Sequence, residues 1–287
     1  MIEFPNIQES CKRFDKIRND SPICRLLLPN RQIFYCNYGG IDFYSLAFWF
    51  FYEGSLKRMD NIIKKFNIEK LATNGFRGLL KERWLNESDD KRRLNLQNRS
   101  CSALVELIVA DCLSLNTELI IKLSASDSNC LTDVVSLNLT SKNEFFSEVK
   151  FLGEIPDLQQ LNFKAMRSGR GVASGSISPP GKIYNYIALR IADAVFQLEK
   201  KNVDLANRRI FIVFQNVNHI IAKALEWLGQ KANWFVGDAW DTLVQELTLN
   251  KEQKNYCDIP IETILAKSGQ LVLGSLDKKW ELKEYKL

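Results

Sequence analysis

Apolar positions in the second half of the chain recur at two periods, and the order in which those periods alternate predicts a fold. Ser102 to Leu113 (SALVELIVADCL) has helical length and an apolar helical face, with Glu106 and Asp111 as its charges. Three short apolar runs follow, Glu118 to Ser124, Leu131 to Leu139 and Phe145 to Leu152, each reading as a strand. The polar turn Thr140 to Asn143 joins the last two and predicts an antiparallel hairpin. A long connection rich in Gly, Ser and Pro (Gln159 to Lys182) comes next. Tyr184 to Lys201 then places Ile187, Ile191, Ala194, Val195 and Leu198 on a helical stripe. Arg209 to Gln215 (RIFIVFQ) is a near-continuous buried strand, and a helix from about Ile220 to Leu228 closes the series. This order predicts an α/β domain in which one mixed sheet is covered by helices. A further helix (Asp238 to Leu247) and a terminal hairpin (Gln270 to Tyr285) extend it.

The N-terminal third has a different texture. Pro5, Pro22, Pro29 and Gly39-Gly40 punctuate short apolar pieces over the first forty residues. Asp42 to Tyr52, Ser55 to Phe66 and Ile68 to Trp84 then predict successive helices. Asn86 to Ser100 (NESDDKRRLNLQNRS) is almost wholly polar and predicts an exposed loop or a domain boundary. The expected division is therefore a mainly helical N-terminal region over 1–95, serving recognition or oligomerisation, and a second domain with a C-terminal extension over 96–287. No internal repeat is visible.

Composition narrows the classes. A hydrophobic share of 46% is enough for a sizeable core in 287 residues, as one elaborated domain or two smaller ones. The net charge of +5 is uneven: residues 1–100 hold 18 Lys/Arg against 12 Asp/Glu, while the rest is nearly balanced. That excess suits a phosphate-rich partner, and it equally fits a solvated basic surface. The seven cysteines (Cys11, Cys24, Cys36, Cys101, Cys112, Cys130 and Cys257) form no C-x-x-C pair, and His219 is the single histidine. This argues against a zinc finger or a His-rich metal centre, and fits reduced thiols in a cytoplasmic protein. The start Met1 to Pro5 lacks a basic region leading into an apolar one, so no secretory leader is expected. Ser45 to Tyr52 is strongly apolar but too short to cross a bilayer as a helix, so no membrane partner is expected.

The chemistry-bearing residues lie in the strand series. Strand side chains alternate faces, so Glu148 and Lys150 point the same way while Ser147, Val149 and Phe151 point the other. The alternative is a solvent-facing charge pair. Phe145, Phe146, Val149, Phe151 and Leu152, however, predict a strand buried on both faces, where charges need a reason. Asp133 is the lone charge of the preceding apolar run and poses the same problem. Two carboxylates on neighbouring strands can hold Mg²⁺ (or Mn²⁺), and the Val149 carbonyl can add a third oxygen. Lys150 then stands beside the bound water, to orient it and to offset charge on a phosphate.

The spacing Asp133-x14-Glu148-Val149-Lys150, inside a helix–three strands–helix–strand series, resembles the PD-(D/E)xK nuclease superfamily. The resemblance covers roughly residues 100–220 and implies a restriction-endonuclease-like mixed sheet flanked by helices. It implies that Asp133 and Glu148 ligate the metal, that Lys150 is the catalytic lysine, and that Glu106 is the additional acid found on the preceding helix of many members. Thr132 stands where many members carry a proline. His219 reads as a structural or surface residue, since such chemistry needs no imidazole.

A second feature points to nucleic acid. From Leu158 to Ala192 there is no acidic residue, but there are Lys164, Arg167, Arg170, Lys182 and Arg190, interleaved with Gly169, Gly171, Gly175 and Gly181. Such a loop can close on a phosphate backbone; the alternative is an ordinary surface loop. Lys91-Arg92-Arg93 and the 57–83 helices offer a weaker basic surface of the same kind. The expected function is thus a Mg²⁺-dependent DNA endonuclease of restriction or anti-phage defence, in a homo-oligomer or a hetero-complex with a helicase or other protein subunit. A non-catalytic nucleic-acid-binding or scaffold subunit is the alternative. A phosphohydrolase of small nucleotides is disfavoured, since no G-x-x-x-x-G-K-[ST] occurs.

Overall fold

The computed structural model describes residues 53–67, 90–124, 130–152, 180–215, 261–276 and 282–285. Six strands form one mixed sheet in sequence order: β1 (Glu118–Leu123), β2 (Val134–Asn138), β3 (Glu144–Leu152), β4 (Arg208–Gln215), β5 (Gln270–Leu276) and β6 (Leu282–Tyr285). β1, β2 and β3 are successive antiparallel neighbours, β3, β4 and β5 run parallel, and β6 returns antiparallel. The helices are α1 (Glu53–Lys65), α2 (Asp90–Leu115), α3 (Pro180–Lys200) and α4 (Ile261–Lys267). Among the described residues no helix is long and apolar enough to cross a membrane.

The antiparallel β2–β3 hairpin and the parallel strand β4 lie where the apolar pattern predicts them. In the hairpin Val134 faces Ser147 and Leu137 faces Glu144. Its turn is tied by the Asn138 side chain, which accepts hydrogen bonds from the backbone N–H groups of Thr140 and Ser141 at 3.0 and 2.9 Å. Parallel strands need a crossover, and α3 supplies it between β3 and β4. Ile210 to Phe214 of β4 are buried on both faces, as expected of a central parallel strand. α3 lays its buried stripe (Ile187, Ile191, Ala194, Val195, Leu198) against β3 and β4. α2 buries Leu104, Val105, Leu107 to Ala110 and Leu113, and it touches β1, β2, β3 and also β6, so the sheet curls around it.

Two expectations are corrected. The polar stretch expected as a loop over Asn86 to Ser100 is, from Asp90 onward, the first half of α2. Lys, Arg, Gln and Leu are good helix formers, so polarity there does not break the helix. The residue-95 division lies inside that helix. Asp133 does not sit within a strand: β2 begins at Val134, and Asp133 occupies the bend before it. The helices expected at Asp42 to Tyr52, Ile68 to Trp84, Ile220 to Leu228 and Asp238 to Leu247 lie outside the described residues.

The end of the sheet where β1, β3, β4 and β5 start holds a buried ionic network. Glu118, on β1, accepts from Arg209 Nη1 at 2.9 Å and from Ser136 Oγ at 2.6 Å. Arg209 also donates to Gln270 on β5 at 2.7 Å and stacks its guanidinium 4.0 Å from the Phe145 ring centre. Strands from both edges of the parallel core are thereby fixed to one another. Nearby, Gly269 makes the turn from α4 into β5 at φ +68°, and a Cβ there would lie 2.5 Å from the Arg208 carbonyl oxygen. Gly269→Ala is expected to cost about 1–3 kcal/mol, seen as a lower urea midpoint with an unchanged slope.

Candidate active site

The candidate residues meet on the C-terminal half of β3, beyond the last residue paired with β2. The β2 ladder ends at Ser147, whereas β3 continues beside β4 with Glu148 facing Ile210 and Lys150 facing Ile212. Asp133 fills part of the opening where β2 has not yet begun. Its carboxylate accepts the Val149 backbone N–H at 2.7 Å. A residue of an extended strand projects its N–H and C=O to the same side, so the Val149 carbonyl also faces the Asp133 side.

Glu148 and Lys150 share a face, as strand alternation requires, and that face is covered by α3. Glu148 is 1% exposed. Its Oε2 accepts from Lys150 Nζ at 3.1 Å and its Oε1 from Lys201 Nζ at 2.7 Å. Lys150 is held from the helix side as well, donating to Gln197 Oε1 at 2.8 Å and standing 3.5 Å from Asp193 Oδ2. Gln197 in turn donates to Asp193 at 3.3 Å. Glu106 of α2 enters from the other element of the series. It accepts from Ser124 Oγ at 2.7 Å, and the Ser124 N–H donates to the Asp133 carbonyl at 2.9 Å, so Ser124 joins the two acids.

Electrostatics mark these groups as one unit. Burial, then repulsion from Glu148, pushes the Asp133 carboxyl up to about 7, against the opposing pull of Lys150 and the Val149 N–H. Burial, then repulsion from Asp133, holds the Glu106 carboxyl well above the usual carboxylate range. For Lys150 burial disfavours the ammonium, but Glu148, Asp133 and Asp193 outweigh it and push it up to about 12. Lys150 is therefore a charged donor at neutral pH and not a base. Crowded acids that a cation would relieve, with a fixed ammonium among them, suit the binding of a metal and an anionic group.

The structure thus brings Glu106, Asp133, Glu148 and Lys150 together, with Val149 tied to Asp133. Lys164, Arg167 and Arg170 of the basic loop, and His219, lie outside the described residues, and Lys182 lies in the first turn of α3. Asp193, Gln197 and Lys201 were not singled out from sequence. They recur at four-residue steps along the last turns of α3 and one residue past its end, beside its apolar stripe, which is the signal that marks them. Among the described residues no group of three or more His, Cys, Asp or Glu side chains closes around a single point as a ready metal cage. The two carboxylates Asp133 and Glu148 nevertheless suit Mg²⁺, which takes hard oxygens and commonly only one or two carboxylates. The chain matches no family model, no curated protein and no solved structure.

Proposed function

We propose that this chain is a divalent-metal-dependent DNA endonuclease of the PD-(D/E)xK type, acting in restriction or anti-phage defence. The observation that carries this reading is the convergence of Asp133, Glu148 and Lys150, with Glu106 behind them, at the open end of β3. The strand and helix order around them, α2–β1–β2–β3–α3–β4, supports a restriction-endonuclease-like fold. So does the position of the site on the half of β3 that β2 leaves unpaired, where a carboxylate from the bend before β2 meets the strand edge.

In this reading Asp133 and Glu148 hold the cation, and the Val149 carbonyl faces the same side. The bound cation supplies charge neutralisation at the phosphate and a lowered pKa for water. The chain's own groups do the remaining work. Lys150, an ammonium locked by Glu148 and Gln197, is placed to donate to a phosphoryl oxygen as negative charge builds there. Because its partners are fixed by β3 and α3, that donor needs little reorganisation. Gln197 and Asp193 are positioning residues for Lys150. The acid-free segment from Leu158 to Ala192 lies in sequence between β3 and the middle of α3, and its lysines and arginines are the groups that would grip a phosphate backbone.

A specific observation favours a second reading. Both oxygens of Glu148 are neutralised by lysines, an arrangement that a purely structural ion cluster would also have. In that case the chain is a non-catalytic nucleic-acid-binding or scaffold subunit. Incubating the full chain with supercoiled and linear DNA, in Mg²⁺ or EDTA, separates the two. Mg²⁺-dependent nicking or linearisation is expected. DNA binding without cleavage in Mg²⁺ or Mn²⁺ would favour the scaffold.

A further inference from the structure

We infer that Lys201 is a resident counter-cation of the site, which yields the Oε1 oxygen of Glu148 when a divalent cation binds. The inference rests on the metal-dependent reading above. Glu148 is almost fully buried, and each of its oxygens accepts from an ammonium, Lys150 at 3.1 Å and Lys201 at 2.7 Å. A carboxylate so placed would be a costly lone charge without them. A divalent cation drawn to the same carboxylate would meet two like charges, and one of them has to move.

The geometry decides which. Lys150 is 12% exposed and has Gln197 and Asp193 as further partners. Lys201 is 29% exposed, lies just past the end of α3, and its ammonium is bonded to Glu148. Its four-carbon stem can swing the ammonium into water while the favourable end of the α3 dipole stays close. Lys150 has no such exit. Lys201 therefore pairs the buried Glu148 carboxylate before a cation arrives, and competes with that cation afterwards.

The test is Mn²⁺ binding to the full chain by calorimetry, with the Mn²⁺-induced rise in melting temperature as a second readout. Lys201→Met keeps the stem and removes the charge. It is expected to bind Mn²⁺ about tenfold or more tightly than the unaltered chain, and to gain more in melting temperature on Mn²⁺ addition. Lys201→Arg, which keeps the charge, should bind near the unaltered affinity. Circular dichroism checks the fold, and Lys201→Gln makes the same comparison if Lys201→Met does not fold. Unchanged or weaker Mn²⁺ binding by the folded neutral variant would overturn the inference. Glu148→Gln separates this from failure of the metal reading. If it abolishes Mn²⁺ binding while Lys201→Met changes nothing, only the role of Lys201 fails. If Glu148→Gln binds Mn²⁺ as the unaltered chain does, the metal site itself is misplaced and both fall.

Discussion

Glu148→Gln is expected to lower Mg²⁺-dependent DNA cleavage by at least about 10³-fold, and Lys150→Ala by about 10²–10³-fold. The two losses have different causes. Gln keeps the shape of the side chain and its register beside Ile210 but removes the charge that draws a cation to the site. It also removes the carboxylate that now neutralises Lys201 and leaves Lys150 to Gln197 and Asp193. Lys150→Ala leaves the two acids and removes the donor held by Gln197 and Asp193. Single-turnover cleavage at saturating protein isolates the chemical step, and a melting curve for each variant separates lost chemistry from lost folding. Cleavage at the unaltered rate by both folded variants would place the reaction elsewhere in the chain. A rate restored in Glu148→Gln by raising Mg²⁺ would assign the residue to metal affinity alone.

Much of the sheet was legible because its elements follow simple periods. β4 reads as a strand from RIFIVFQ, since a strand covered on both faces has no polar alternation to show. α3 reads as a helix from its stripe at Ile187, Ile191, Val195 and Leu198. The first half of α2 departs from its sequence pattern for a physical reason. Its polarity reads as a loop signal, although helix propensity and hydrophobicity are separate properties. The pair Glu118–Arg209 escaped notice for another reason. The residues are ninety-one positions apart, and only the closing of β1 to β4 into one sheet brings them within 2.9 Å.

For the candidate site, local spacing was informative and tertiary partnership was not. Alternation along β3 fixes the common face of Glu148 and Lys150 whatever the rest of the chain does. That Asp133 meets Val149 depends on β2 starting one residue late, which leaves the strand edge open to a carboxylate. A one-residue boundary of this kind lies beneath what apolar patterning resolves. The helix-side shell is harder still. Gln197 is an ordinary helix residue until Lys150 is found 2.8 Å away, and Lys201 looks like a solvated lysine until Glu148 is found buried beneath it.

The raised Asp133 carboxyl gives the fold a pH dependence opposite to that of most paired acids. Its pKa is about 7 in the folded chain, against about 3.9 unfolded, so the folded state binds the extra proton between those values. Stability from the protonated carboxyl is complete below the unfolded value and is lost as pH rises through 7. Between pH 5 and pH 8 without divalent metal, unfolding free energy is expected to fall by about 2–3 kcal/mol from this residue. Glu106, also raised and partly by Asp133, adds to the slope in the same direction. Urea denaturation in EDTA across that range tests this against Asp133→Asn, which removes one titrating acid and relieves the other. The variant should show a distinctly flatter profile, and parallel profiles would show that Asp133 is not strained by its neighbours. Adding Mg²⁺ should work hardest where the protons have left. Because a metal and a proton compete for the same carboxylate, Mg²⁺ stabilisation is expected to grow from pH 5 to pH 8, as the two acids gain charge that the metal can offset.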